Sequence, residues 1–362
     1  IGIAPSLRVR AASGETLLER DWPDGGSLGH AELLEELFAW ARGHLGEREV
    51  VGVGHRVVHG GTEFVAPCRV DDALLDALER LYSLAPLHQP HNLAAIRAIA
   101  RIAPGLAQVA CFDTAFHHAM PAVATRLAIS RDFHDRGIRR YGFHGLSYEY
   151  IIRRLREVDP ELAKGRVIAA HLGNGASLCA MLDGRSIDTT MGFTALDGLM
   201  MGTRCGAIDP GVVLHLQTQL GMSATDVEDM LYRKSGLLGV SGISSDMRVL
   251  SDDGGAEAEE AIGLFCWRVA REAGGLMSSF GGLDAFIFTA GIGENHAEVR
   301  RRICERLRWA GLHIDEAANS GSDLRISMPD SPVTILVIPT DEERMIAHHT
   351  LAIMPRSSSR SG

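Results

Sequence analysis

Short runs rich in valine, isoleucine and alanine alternate along the chain with longer stretches whose apolar residues recur every three or four positions. That is the pattern of β-strands covered by helices. Strands are expected over 51–58, 108–113, 166–171, 177–182, 285–290 and 333–338, and helices over 71–84, 147–158, 223–232, 256–280, 296–310 and 342–353. In the fifth helix Val299, Ile303 and Leu307 recur every four residues and give one buried stripe. The strand pair around Gly173-Asn174-Gly175 continues past Asp183-Gly184 into 185–189, an antiparallel meander inside an otherwise mixed sheet. No fixed-period repeat or long low-complexity linker interrupts this order, and 357–362 reads as a disordered tail. A domain boundary is expected near 113–117, where a strand gives way to a less regular stretch.

Composition narrows the class. A chain of 362 residues exceeds the size at which a single core usually stops growing, so two domains are expected. Apolar residues at 46%, charged residues at 23% and 40 glycines describe a globular α/β protein rather than a disordered one. A net charge of -10 argues against non-specific nucleic-acid binding, and Arg300, Arg301 and Arg302 read as a solvated helix face. The six cysteines have neither C-x-x-C spacing nor a compact framework, so reduced thiols in or near the core are expected. No apolar run approaches the ~20 residues that span a bilayer, and the first residues lack the regions of a signal peptide. A cytoplasmic location with no membrane partner is the expectation. The sequence starts at Ile1 without a methionine, so a preceding piece is expected to be absent from it.

Several segments can carry chemistry. The strand 285–290 runs into Gly291-Ile292-Gly293-Glu294-Asn295 and then a helix, which brings free backbone N–H groups to one point suited to a nucleotide. It is neither a Walker A loop nor a full dinucleotide fingerprint, and an ordinary strand-to-helix turn accounts for it equally. The loop His171-Leu172-Gly173-Asn174-Gly175 could bring unhindered amides to a phosphate, or be a plain hairpin. Arg56, in Gly54-His55-Arg56-Val57-Val58-His59-Gly60-Gly61, and Arg204, in Met201-Gly202-Thr203-Arg204-Cys205-Gly206, fit a phosphoryl or carboxylate fork, although a lone arginine is ordinarily a surface charge. Asp113 stands at a strand end and His144 in Tyr141-Gly142-Phe143-His144-Gly145 just before a helix, places open to a cap or core role as well.

Taken in order, these segments, with Phe112-Asp113-Thr114-Ala115-Phe116-His117 and Pro339-Thr340-Asp341-Glu342-Glu343, resemble the acetate kinase family from about residue 50 to the end. The resemblance implies an α/β fold of two ribonuclease-H-like, actin-like ATPase domains, with mixed sheets flanked by helices and a nucleotide cleft between them. By that likeness 1–114 plus 342–362 form domain I, and 115–341 form the nucleotide-binding domain II. It implies a kinase that transfers phosphate from ATP to acetate with Mg²⁺, acting as a cytoplasmic homodimer. Asp113, His144 and Arg204 would be catalytic. Arg56 would grip the carboxylate, and Val58, Leu87 and Phe143 would line the methyl pocket. His171, Leu172, Gly173, Asn174, Gly175, Asp246, Met247, Arg248, Gly291, Ile292, Gly293, Glu294 and Asn295 would bind nucleotide, with Asn174 also reaching the moving phosphoryl group. Glu342 would hold Mg²⁺, directly or through water.

The chain departs from the family pattern at three places. The opening Asn-x-Gly-Ser-Ser-Ser-x-Lys stretch, which resembles a phosphate-binding hairpin in relatives, is missing; it lies outside this sequence or the protein as given is impaired. Tyr148 stands where many members carry a second histidine, and Ala195 where many carry proline beside the acyl pocket. The second change leaves acetate and propionate both open, with butyrate as a further candidate. A nucleotide-driven binding protein of the Hsp70 or actin kind is the rival of another class, but it gives Arg56, Asp113, His144 and Arg204 no clear task.

Overall fold

Residues Val167 to Leu172 are buried without exception, so the strand they form is covered on both faces and reads as a continuous apolar run. This strand is at the centre of a five-stranded mixed sheet in the computed structural model, which describes residues 6–11, 13, 15–22, 28–46, 49–85 and 88–354. Leu87 and the tail 357–362 lie outside the described residues.

Ten strands are present among the described residues: β1 Ser6–Arg10, β2 Thr16–Asp21, β3 Gly52–Val57, β4 Cys68–Arg69, β5 Ala107–Phe112, β6 Arg166–Leu172, β7 Ala176–Leu182, β8 Arg185–Thr189, β9 Ala285–Thr289 and β10 Thr334–Val337. The chain divides into two compact units, 1–58 with 67–111 and 346–362, and 59–66 with 112–345.

In the second unit the sheet order is β10-β9-β6-β7-β8. β6, β7 and β8 form the antiparallel meander, while β9 and β10 add in parallel, His171 pairing with Thr289 and Val337 with Phe288. This is the mixed α/β, ribonuclease-H-like arrangement. The helix Ala256–Ser278 packs on β7 and buries Ala258, Ala261, Ile262, Phe265, Val269 and Ala273, an i, i+3, i+4 stripe. The helix Gly145–Val158 packs on β6 and buries Leu146, Ile151, Ile152 and Leu155.

The first unit has a three-stranded sheet, β3-β5-β4, and the separate antiparallel hairpin β1-β2. Gly54 of β3 has no side chain because one would strike Ile346 Cγ2 and Thr350 Oγ1, each 2.3 Å from its Cβ position, so the helix Glu342–Ile353 lies directly on the strand there. The expected helix over 71–84 is shorter, Asp72–Glu79 with a single tight turn at Tyr82–Leu84; the conformation of residue 85 is restricted by the following Pro86. Asp71 caps it by accepting from the Leu74 N–H at 2.8 Å.

None of the six cysteines, all among the described residues, is in a disulfide, and Cys111, Cys179, Cys266 and Cys304 are buried. Burial pushes the Cys179 and Cys266 thiols up to about 12. No helix among the described residues is long and apolar enough to cross a membrane.

One expectation is corrected. Arg301 and Arg302 do face solvent ion pairs with Glu298, Glu305 and Glu259, but Arg300 is fully buried. Its guanidinium donates to the carbonyls of Gly293, Glu294 and Asn319, to Asn319 Oδ1 and to Ser322 Oγ, at 2.6 to 3.0 Å. It thereby satisfies the last carbonyls of the helix Ala290–Asn295, which have no partner within so short a helix. Arg300→Met should destabilise the chain by about 3 kcal/mol or more, because it strands several buried acceptors. Urea unfolding measures this, and a change within 0.5 kcal/mol would show that the carbonyls find water instead.

Candidate active site

Three residues connect β6 to β7, and two of them are glycines at ordinary negative φ. Their role is therefore space rather than backbone conformation. A Cβ on Gly175 would stand 2.8 Å from Arg204 Nη2 and 3.2 Å from His144 Nε2. The loop thus brings a guanidinium and an imidazole to the same backbone point, and a side chain there would have to push the guanidinium aside. Gly202 repeats the device: its Cβ would lie 1.9 Å from Asn174 Oδ1, and its N–H donates to the Asn174 carbonyl at 3.0 Å.

Arg204 is held by its own loop. Its Nη1 donates to the Ala195 carbonyl at 2.7 Å, and the segment 201–205 is pinned by backbone bonds from Ser235, Leu237 and Leu238 and to Leu231. Burial pulls the guanidinium below its usual pKa, and it remains cationic.

His144 precedes the helix Gly145–Val158 in a left-handed conformation, φ 59° and ψ 23°, a strain that non-glycine residues hold only when neighbours enforce it. Several groups do so. The Gly145 N–H donates to the Asp113 carbonyl at 2.9 Å. His117 Nε2 donates to the Phe143 carbonyl at 2.9 Å, which leaves His117 Nδ1 to accept from Ser186 Oγ at 2.8 Å. Desolvation drives the His117 pKa down to about 4, so this buried ring works as a neutral brace. The His144 ring stacks on His171 at 4.1 Å between centroids, and its Nδ1 lies 2.8 Å from Ser177 Oγ. His171 Nδ1 is bonded to Ser147 Oγ, which meets Thr340 Oγ1.

Beside this group lies a cavity of about 580 Å³ lined by Gly173, Asn174, Ser245, Asp246, Met247, Arg248, Gly291, Ile292, Asn295 and His296. A volume of that order suits a nucleotide-sized ligand. Asp246 caps the helix Met247–Asp253 and is held down to about 2 by hydrogen bonds from Arg248, which pairs with it at 2.6 Å. The expected loop at 291–295 is itself a short helix, Ala290–Asn295, entered through Ala290 at φ 65°.

Of the expected nucleotide residues, Gly173, Asn174, Asp246, Met247, Arg248, Gly291, Ile292 and Asn295 line the cavity. His171 and Gly175 stand with His144 instead. Leu172 is core, and Gly293 and Glu294 face inward: the Gly293 carbonyl accepts from Arg300, and Glu294 Oε1 accepts from the Ala290 and Thr340 N–H groups at 2.7 and 3.0 Å. Asp113 is fully buried, and Phe143 nearly so, its ring edge-on to His59. Arg56 and Val58 belong to the first unit, at the end of β3, where the Val58 N–H donates to Asn92 Oδ1. Glu342 opens the helix Glu342–Ile353 and acts electrostatically on Tyr148. Sequence reasoning passed over Ser245 and His296, although each adjoins a chosen residue. His296 caps the helix Ala297–Arg306 through Nδ1, so its Nε2 donates to Ser251 Oγ at 2.7 Å.

Residues 29–348 match the model of the acetokinase family. The chain belongs to that family. Among its relatives, an acetate kinase of Rhodopseudomonas palustris strain TIE-1 is 53% identical over 353 residues, 96% of this chain and 88% of the relative. The crystal structure of Porphyromonas gingivalis acetate kinase aligns with a TM-score of 0.86 at 37% identity, covering 97% of this chain and 90% of that one. A propionate kinase from Francisella tularensis aligns with a TM-score of 0.89 at 36% identity over 97% of each chain. This acetokinase-family chain is therefore a phosphotransferase of the kind that takes a carboxyl group as acceptor.

If Arg204 and His144 take part in turnover, Gly175→Ala should lower kcat by about 10²-fold, since an added methyl would displace one or both by roughly an ångström. Thermal unfolding should move by only a few degrees. A variant with unchanged kcat would remove the close approach from any part in turnover.

Proposed function

We propose that the chain transfers the terminal phosphoryl group of ATP to acetate, giving ADP and acetyl phosphate by direct in-line displacement. The observation that carries this is the single loop 173–175, which lines a nucleotide-sized cavity with Gly173 and Asn174 and meets His144 and Arg204 at Gly175. A phosphate chain in the cavity with its end at this loop would present its terminal group to a cation and an imidazole together.

The acceptor carboxylate is ionised at neutral pH, so no general base is required. Catalysis then reduces to holding the reactants in line and neutralising charge on the equatorial phosphoryl oxygens. Arg204 supplies a fixed positive charge that needs no reorganisation, because its loop and the Ala195 carbonyl already hold it. His144 and Asn174 donate to the same oxygens. Asp113 fixes the residue after His144 by accepting the Gly145 N–H at its backbone carbonyl. The likeness to the family would give Arg56 the acceptor carboxylate, and Val58 and Phe143 its methyl group; Leu87, expected with them, lies outside the described residues. These roles rest on the likeness to the family.

Among the described residues no group of three or more His, Cys, Asp or Glu side chains converges on one metal site. Mg²⁺ is commonly held by one or two carboxylates together with substrate phosphates and water, so the single carboxylate of Glu342, at the start of its helix, suits it. Glu342 would hold it, directly or through water, and the ion would offset phosphate charge. A homodimeric, cytoplasmic enzyme is the family's habit and is proposed on that ground.

A second reading concerns the acid. By the likeness to the family Ala195 stands where many members carry proline beside the acyl pocket, which would remove bulk there while its carbonyl accepts from Arg204. Propionate is the alternative substrate, and the ratio of kcat/KM on acetate, propionate and butyrate decides between them.

Hydroxylamine trapping with ATP, Mg²⁺ and acetate should give an acyl hydroxamate; no hydroxamate from any short acid would overturn the proposal. Arg204→Ala should lower kcat by about 10³-fold. Steady-state kinetics check it, and turnover equal to wild type would take Arg204 out of the reaction.

A further inference from the structure

Tyr148 is fully buried, and its hydroxyl lies 2.5 Å from Ser177 Oγ, which in turn lies 2.8 Å from Nδ1 of His144. The three groups form one line, Tyr148 to Ser177 to His144, and protons along it can run only in a consistent order. Ser177 has a single hydroxyl proton and two neighbours. Were that proton given to Tyr148, the tyrosine's own proton would have no acceptor, since among the described residues Ser177 is its hydrogen-bond partner. An orphaned donor in a fully buried place is the more costly arrangement. Burial also raises the Tyr148 pKa well above its ordinary value, so the proton stays on the phenol.

Resting on the reading of His144 as a donor to the transferred phosphoryl group, we propose that Tyr148 is a positioning residue: it donates to Ser177, Ser177 donates to His144 Nδ1, and the imidazole is thereby kept neutral with its proton on Nε2. Nε2 is the atom beside Gly175 and Arg204, where that proton is needed. The cation beside the ring acts in the same sense. Arg204 is a cation near Nε2, and His171 is a second imidazole stacked on the first. Cys179 and Glu342 act on Tyr148 and favour its protonated form. Asp113 meets the turn through its backbone carbonyl, and His117 through the carbonyl of Phe143. A histidine at 148 could accept the Ser177 proton and so let Ser177 accept from a protonated His144. Tyrosine satisfies only the one direction.

The test uses ¹⁵N-histidine spectra of the full chain, with His144 assigned by the loss of its signals in His144→Gln, alongside kcat and KM against pH. In the wild type His144 should be neutral with its proton on Nε2 from pH 6 to 8. In Tyr148→Phe and in Tyr148→His its imidazolium should appear at least half a pH unit higher. In Tyr148→Phe the neutral ring should move its proton largely to Nδ1, and kcat at pH 7 should fall about tenfold with that tautomer while both KM values stay within twofold. Should Tyr148→Phe fail to fold, Ser177→Ala reports the same loss of the Nδ1 donor. Identical His144 titration in the wild type and the variants, or a wild-type proton on Nδ1, would overturn the proposal. A wild-type chain that forms no acyl phosphate would sink the proposed function instead, and the spectra would still decide where the proton sits.

Discussion

A guanidinium, an imidazole and a backbone turn occupy the space that a single methyl group at Gly175 would need, and the second unit is arranged around that close approach. The loop 173–175 can lie so near because β6 and β7 pair without a bulge up to Leu172 and Ala176, which fixes where the turn emerges. Arg204 can meet it because its own segment is tied by backbone bonds to residues 231–238. His144 can meet it because a strained left-handed residue is held from both sides by the carbonyls of Asp113 and Phe143. Each contact is short-ranged and stereospecific, so the geometry is established before any ligand arrives, which is the condition for electrostatic stabilisation without reorganisation.

Hydroxyls carry much of this order. Ser147, Ser177, Ser186 and Thr340 each connect a buried polar group to another, and each can be donor or acceptor as its neighbours require. A buried network of this kind is stable only when every member is satisfied. Arg300 illustrates the same rule with a fixed donor: one charged fork closes off the carbonyls of a short helix that could not otherwise be buried.

The central strands were legible because they are buried on both faces. The runs at β6, β7 and β9 are apolar without alternation, and their expected limits differ from the observed ones by a residue at most. The hairpin β1-β2 and the helix His30–Leu45 were not read, since their residues are mostly exposed or intermediate and leave a weak stripe. The helices Pro210–Thr218 and Gln89–Ile102 were also passed over, though each has proline in its first turn and the first has Asp209 as its cap. Of the site, the glycines were visible but their reason was not: no φ in the loop is positive, and what excludes a side chain is Arg204, 29 positions further along the sequence. The inward turn of Glu294 and Arg300 was invisible for the same cause, because only tertiary contacts distinguish a buried charge from a solvated one.

The burial of four thiols has a chemical consequence. Thiolate is the form that oxidants and electrophiles attack, and Cys179 and Cys266, with pKa pushed up to about 12, offer almost none of it at neutral pH. Cys111 and Cys304 are as deeply enclosed. For these four, modification must wait for the surrounding core to open, so the folded chain is indifferent at those positions to swings in redox poise, and their labelling would serve as a clock for unfolding.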